Sequence, residues 1–301
     1  MDDITRGQIQ QLLAFRKHHG GKIYWVNTSS GGSDDANNSG LSWQAPLATI
    51  ARAHALCTSG KNDYIIVIDA WTGDTEPIVI TKTHIHLLGI DNPHTPYICL
   101  SATGDTDVLQ IASGALNCEI SGLSFGGGAT HGGILLNAPT GTWIHHCNFG
   151  HNYAGNTPLY GISGDGSTNC ADTLIENCRF YGTGNNSQGT ITGNGISITS
   201  AGNTFVNSIV RKNVFLGIPG IAISLDHVLG VEISDNKIAM DADTLGAAIT
   251  MGASCLGCWV DGNSANFGDT AAVNNPYVDA AAAGANSWGI NIKAGVTIMP
   301  S

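Results

Sequence analysis

The sequence predicts an all-β chain wound into a right-handed parallel β-helix, a solenoid with an N-terminal helix and a capping helix. Three observations carry that prediction: a six-residue segment recurs six times, a Gly-Ile motif alternates with it, and 40 of the 301 residues are glycine. Two short period-2 strands per repeat cannot bury an apolar face alone. Coils stacked about 4.8 Å apart bury it against like neighbours and pair every strand in parallel. Right-handed crossover is the rule for parallel strands.

The recurring segments are 120–125, 144–149, 175–180, 210–215, 233–238 and 260–265, with starts 24, 31, 35, 23 and 27 residues apart. Position one is Ile120, Ile144, Ile175, Val210, Ile233 or Val260, and position six is Phe125, Phe149, Phe180, Phe215, Ile238 or Ala265. Both read as inward columns. Position four reads Leu123, Cys147, Cys178, Asn213, Asn236 and Asn263. Asparagine at successive turns predicts an amide ladder with the two cysteines stacked beneath it. The alternating motif occupies 133–136, 161–164, 195–198, 220–223, 248–251 and 289–292.

Taken from the start, residues 4–18 read as a helix whose apolar stripe is Ile9, Leu12, Leu13 and Phe15. A second amphipathic helix is predicted over 47–57, begun by Pro46, with Leu47, Ile50, Ala53, His54 and Cys57 on one face. Segments 64–68, 78–80, 85–88, 97–100 and 108–111 read as strands of the first coils, less regular because end repeats are atypical. The expected division is an attachment helix at 1–21, an N-terminal cap at 22–62, the β-helix body at 63–268, and a C-terminal coil and cap at 269–301. The body amounts to about eight coils, or about 40 Å. Residues 271–279 and Ala280 to Ala283 fall outside the regular repeat and read as contact or capping surface.

Composition excludes several classes. Twelve Lys+Arg against 23 Asp+Glu give a net charge of -11, so no nucleic-acid partner is expected. No apolar run approaches the length of a membrane span, and the opening residues show no secretion signal. The eight cysteines are scattered and read as reduced, buried thiols. Cys255 and Cys258 have the spacing of half a zinc site, but no second pair accompanies them. No cofactor and no metal are expected.

The stretches Tyr24-Trp-Val-Asn27, Gly31-Gly-Ser-Asp-Asp35, Gly40-Leu-Ser-Trp43, Pro46-Leu-Ala-Thr-Ile50 and Asp63-Tyr-Ile-Ile-Val67 resemble the opening of pectate-lyase-like right-handed β-helix proteins. They look in particular like those of tailed-phage virions, tailspike-like or capsid-decorating, in which a short attachment helix precedes the β-helix. The resemblance covers roughly residues 22 to 265. It implies a virion location, assembly in the host cytoplasm, and contact with other virion proteins of capsid or tail. Fold alone does not give activity.

Pectate lyases, as a family, set an Arg base and Asp calcium ligands on an outer sheet face, so the resemblance implies that any such groups here lie in the outward columns. The Gly-Ile strands offer Leu135, Ser163, Ser197, Ala222, Thr250 and Asn291, none of them an acid or base. The other strands offer Ser121, His145, Glu176, Arg211, Ser234 and Asp261, which read as a solvated charge ladder of little energetic weight. Asp165, Asp226 and His227 are the residues an enzyme would use, since carboxylates one or two coils apart fit glycoside hydrolysis. Both aspartates read more simply as turn residues. His145, His146 and His151 read as a surface turn, and Asp34 and Asp35 as a low-specificity calcium motif. The six tryptophans do not recur at one rung position, so no row of sugar platforms is expected.

The function expected is therefore a non-catalytic structural protein of a tailed-phage virion. The alternatives are a polysaccharide lyase or glycoside hydrolase of tailspike type, and a glycan-binding adhesin holding a host-surface glycan. A homotrimer is expected, because virion attachment sites are symmetric and Leu135 offers outward apolar surface. No membrane partner is expected.

Overall fold

The computed structural model describes residues 20–28, 38–69, 77–90, 98–102, 104–150, 157–164, 170–183, 190–199, 205–240, 247–267, 276–293 and 296–298. The helix expected over 4–18 lies outside them. The chain forms a right-handed parallel β-helix. Among the described residues, three sheets of ten, nine and eight strands run its length, with a three-stranded sheet at one corner. Among the described residues every strand pair is parallel except Asn291–Lys293 with Val296–Ile298. Among the described residues no helix is long and apolar enough to cross a membrane.

The recurring segments pair as predicted. Ile120, Ile144, Ile175, Val210, Ile233 and Val260 stack in register in the ten-stranded sheet, and Phe125, Phe149, Phe180, Phe215, Ile238 and Ala265 do so in the nine-stranded one. Position three makes the bend between the two sheets. Its residues Gly122, His146, Asn177, Lys212, Asp235 and Gly262 all have φ between 52° and 69°. That left-handed turn holds a β-carbon at some cost, yet four of the six are not glycine.

The four phenylalanines stack ring on ring, with successive centroids 5.3, 4.7 and 4.5 Å apart. The glycine of the Gly-Ile motif exists because of them. A β-carbon on Gly161 would sit 2.5 Å from the Phe180 ring, and one on Gly195 would sit 2.7 Å from Phe215. Where the stack steps down to Ile238 and Ala265, the glycine column admits Ala222 and Ala248, both fully buried.

The asparagine ladder is present and is one rung longer than expected. Asn213, Asn236, Asn263 and Asn291 are wholly buried. Each of the first three donates its amide N–H to the next Oδ1 at 2.9–3.1 Å, and its backbone N–H to the same oxygen at 3.0 or 3.1 Å. Below them the Cys178 N–H donates to Asn213 Oδ1 at 3.0 Å. Burial, and then the neighbouring Cys147 thiol, hold the Cys178 thiol well above its ordinary range. All eight cysteines are buried, and none of them forms a disulfide.

Several expectations need correction. The capping helix runs from Ile50 to Leu56, because Thr49 caps it by accepting the Arg52 N–H and Leu47 is drawn into a bridge with Val26. Lys82 Nζ closes its other end on the carbonyls of His54, Ala55 and Cys57. Stacking begins at Ile23–Asn27 and ends with Tyr277–Asp279, Ser287–Trp288 and Asn291–Lys293, so the longest sheet has ten strands, more than the eight coils expected. Tyr277–Asp279 thus lies inside the repeat. Residues 289–292 do not continue the Gly-Ile column, because Ile292 pairs with Ser264 and so sets Asn291 on the ladder.

The glycine and phenylalanine columns should be coupled. Gly161→Ala is expected to cost about 1–3 kcal/mol by overpacking, and adding Phe180→Leu should recover part of it. Urea denaturation of the two single variants and the double variant measures this; additive losses would contradict it.

Candidate functional site

Asp165, His151, Asp34 and Asp35 lie outside the described residues. Asp226 sits at the end of Ile223–Leu225, where its Oδ1 accepts the N–H groups of His227 at 2.8 Å and Ser254 at 2.9 Å. That carboxylate braces two successive turns. His227 has φ of 54° and its Nε2 lies 3.8 Å from Asp226 Oδ2. The outward column of the eight-stranded sheet is Leu135, Ser163, Ser197, Ser224, Thr250 and Val278. Ser224 and Val278 replace the expected Ala222 and Asn291. Ile221 and Ile223 are both preceded by a small residue, and the pairing takes the second.

The titratable cluster lies on the ten-stranded sheet. Its strands have two outward positions, one on each side of the buried Ile or Val, and the earlier position carries His86, Glu119, Trp143, Leu174, Ile209, Glu232 and Trp259 in one column. Glu119 is the centre. Its Oε2 accepts from His86 Nδ1 at 2.6 Å and its Oε1 from His145 Nε2 at 2.9 Å. His145 Nδ1 lies 2.7 Å from His146 Nδ1 and 3.3 Å from the Ser121 hydroxyl. Tyr64 stacks on His86 at 4.3 Å and Trp143 on His145 at 3.8 Å. His86 Nε2 is buried without a hydrogen-bond partner.

A second carboxylate extends the network. Glu176 Oε1 accepts the Trp143 indole N–H at 3.1 Å, and its Oε2 accepts Arg211 Nε at 2.9 Å. His145 and Glu176 are only 9% and 8% exposed, so the expected solvated ladder is a largely buried network. Burial pushes the Glu119 carboxyl up, but the hydrogen bonds from His145 and His86 and their charge outweigh this and hold it at about 2. Glu119 is therefore an anion throughout the physiological range. The sequence held the signal: Glu119 and Trp143 each immediately precede a position-one isoleucine.

Trp143 and Trp259 share this column, which corrects the expectation that no tryptophans recur at one rung position. Four strand steps, about 19 Å, separate them. Among the described residues, no group of three or more His, Cys, Asp or Glu side chains could hold a metal ion. Cys255 and Cys258 are buried singly, their thiols bonding the Leu225 and Leu256 carbonyls, and burial pushes Cys255 up to about 12.

No protein-family model and no curated protein matches the chain. Solved structures do. A tailspike protein of E. coli bacteriophage HK620, in complex with a pentasaccharide, aligns over 98% of this chain and 60% of its own at 14% identity, with a TM-score of 0.54. A GH136 lacto-N-biosidase from Eubacterium ramulus aligns over 94% of this chain and 69% of its own at 11% identity, with a TM-score of 0.50. The likeness is one of fold. The chain spans 59% to 60% of the length of the tailspike proteins it matches.

Glu119 links the network to pH. Its folded pKa lies below its ordinary 4.5, so its contribution to stability is complete above about 4.5 and is lost as pH falls towards about 2. Glu119→Gln should cost about 1–3 kcal/mol at neutral pH. Urea denaturation of both proteins across that acid range should show the difference vanishing at the low end. A constant difference would contradict the assignment.

Proposed function

We propose that the chain is a structural β-helix of a tailed-phage virion, assembled in the host cytoplasm, set on head or tail against other virion proteins, and without catalytic activity. One observation carries the absence of chemistry: the best-developed titratable cluster satisfies itself. A general acid or base works best with a pKa near the operating pH. Glu119 is held at about 2 with both oxygens occupied by histidines, and Glu176 is occupied by Trp143 and Arg211. Asp226 spends one oxygen on two backbone N–H groups. The virion setting is supported by the tailspike-like fold, together with the sequence resemblance at residues 22 to 265.

Purified protein incubated with capsular and lipopolysaccharide glycans should release no new chain ends, and Asp165→Asn and Asp226→Asn should change nothing. Depolymerisation that either substitution abolishes would overturn the proposal in favour of a lyase or hydrolase.

The assembly we propose is a homotrimer with the β-helices side by side. Leu229 and Leu256, 43% and 56% exposed and bridged on adjacent coils, give one corner an apolar edge that side-by-side packing would cover. Light scattering should give three times the 31.1 kDa chain mass, and Leu229→Glu with Leu256→Glu should lower it. A single-chain mass for the unsubstituted protein would refute the trimer.

A further inference from the structure

Successive coils turn into the ten-stranded sheet through the same four-residue pattern. Its first position is a corner column, Leu116, Thr140, Ala171, Val206, Leu229 and Leu256, held in register by strand pairs and bridges. The second takes a left-handed turn, with φ between 47° and 69° on all six coils from Asn117 to Gly257. The third, from Cys118 to Cys258, is buried. The fourth is the outward column that holds Glu119, Trp143, Leu174, Ile209, Glu232 and Trp259. The two outward columns flank the turn and make a largely apolar stripe five strand steps long, about 24 Å. Among the described residues ten large apolar side chains are exposed, and Leu116, Trp143, Leu229, Leu256 and Trp259 are five of them. Apolar exposure concentrated in this way marks a surface that something covers.

The chain enters the solenoid at the foot of the same corner. Gly21 packs so closely on the Asn62 carbonyl that a β-carbon would not fit. Asn62 and His84, with φ of 54° and 56°, continue the column of left-handed turns down from Asn117. Gly21 is therefore three strand steps, about 14 Å, from the level of Leu116. Residues 1–19 lie outside the described residues. Phe15 stands before Gly20 by a reach of about 17 Å in extended chain, and Ile9 lies about 9 Å beyond it along a helix. These lengths set Phe15 level with Leu116 and Ile9 level with Ala171 and Leu174, with Trp143 on the coil between. Charge agrees with this placement. Residues 4–19 hold Arg6, Arg16 and Lys17 and no acid, whereas the charged residues of the stripe and its turns are Glu119, Asp172 and Glu232.

We propose that residues 4–15 lie as a helix along this stripe, on their own chain, with Ile9, Leu12, Leu13 and Phe15 covering Leu116, Trp143 and Leu174. Such a helix spends its apolar face on the body, as an amphipathic segment must somewhere. Leu229 and Leu256, about 34 and 38 Å along the corner from Gly21, stay beyond the reach of these side chains and are left to the assembly proposed above. The inference goes beyond the virion reading: with its apolar face held by the body, the segment offers any partner its polar face.

The test places one thiol on the segment and one on the stripe of the full chain. Phe15→Cys with Leu116→Cys, treated with a short bismaleimide, should give a cross-link within one chain whose yield does not change on dilution. The eight native thiols are buried and should stay unmodified. Phe15→Cys with Leu256→Cys should give none. Hydrogen exchange supplies a second readout: amides of residues 9–15 should exchange at least about tenfold more slowly than in an unstructured chain. Leu12→Asp with Leu13→Asp should remove that protection while the amides of the β-helix keep theirs. No cross-link at Leu116, an equal yield at Leu256, or unprotected amides at 9–15 would each overturn the proposal. A cross-link between chains would put the segment on a second copy and overturn it too.

Discussion

Everything in this molecule depends on in-register stacking of coils at the spacing of neighbouring strands, about 4.8 Å. Stacking at that distance leaves a nearly constant cross-section, so whatever fills the interior on one coil must be matched on the next. The phenylalanine column takes so much of it that the opposite wall can carry only hydrogen, and Gly161 and Gly195 are the result. When the column shrinks to Ile238 and Ala265, methyl groups return at Ala222 and Ala248. Repeat lengths of 23 to 35 residues do not disturb this. The variation is taken up in the connecting loops.

The same spacing governs the outside. Like charges on adjacent coils would repel, and opposite ones attract, as cross-strand pairs do in any sheet. The ten-stranded sheet accordingly alternates: Glu119 lies beside His86 on one coil and reaches His145 on the next, and Glu176 reaches Arg211. Trp143 covers His145 and bonds Glu176, joining the two halves. Burial strengthens each of these hydrogen bonds, and it makes an unpaired member costly.

The fold was legible in the sequence because stacking imposes likeness at fixed positions. Ile120 and its five equivalents, the four phenylalanines and the run of asparagines repeat the same chemistry in every coil. Register was harder to read where two phases satisfy the same pattern. Gly220-Ile-Ala-Ile and Ala222-Ile-Ser-Leu both look like the Gly-Ile motif, and only the three-dimensional pairing chooses the second. The charged network was less legible still. A charged residue next to a conserved-looking core position carries no sign of burial, and Glu119 is recognisable only once His86 and His145 are placed on its two sides.

The asparagine ladder also has a direction. Each side-chain oxygen accepts from the coil before it, so the donors of Asn213 wait on Asn236, those of Asn236 on Asn263, and those of Asn263 on Asn291. A coil docked at the growing end of a nascent chain is thus never complete until its successor arrives. Order should therefore advance vectorially from the amino end, each added coil settling the one already laid down. Halting at any intermediate coil would leave buried amide hydrogens facing an unfinished end, and that makes partial solenoids poor resting states.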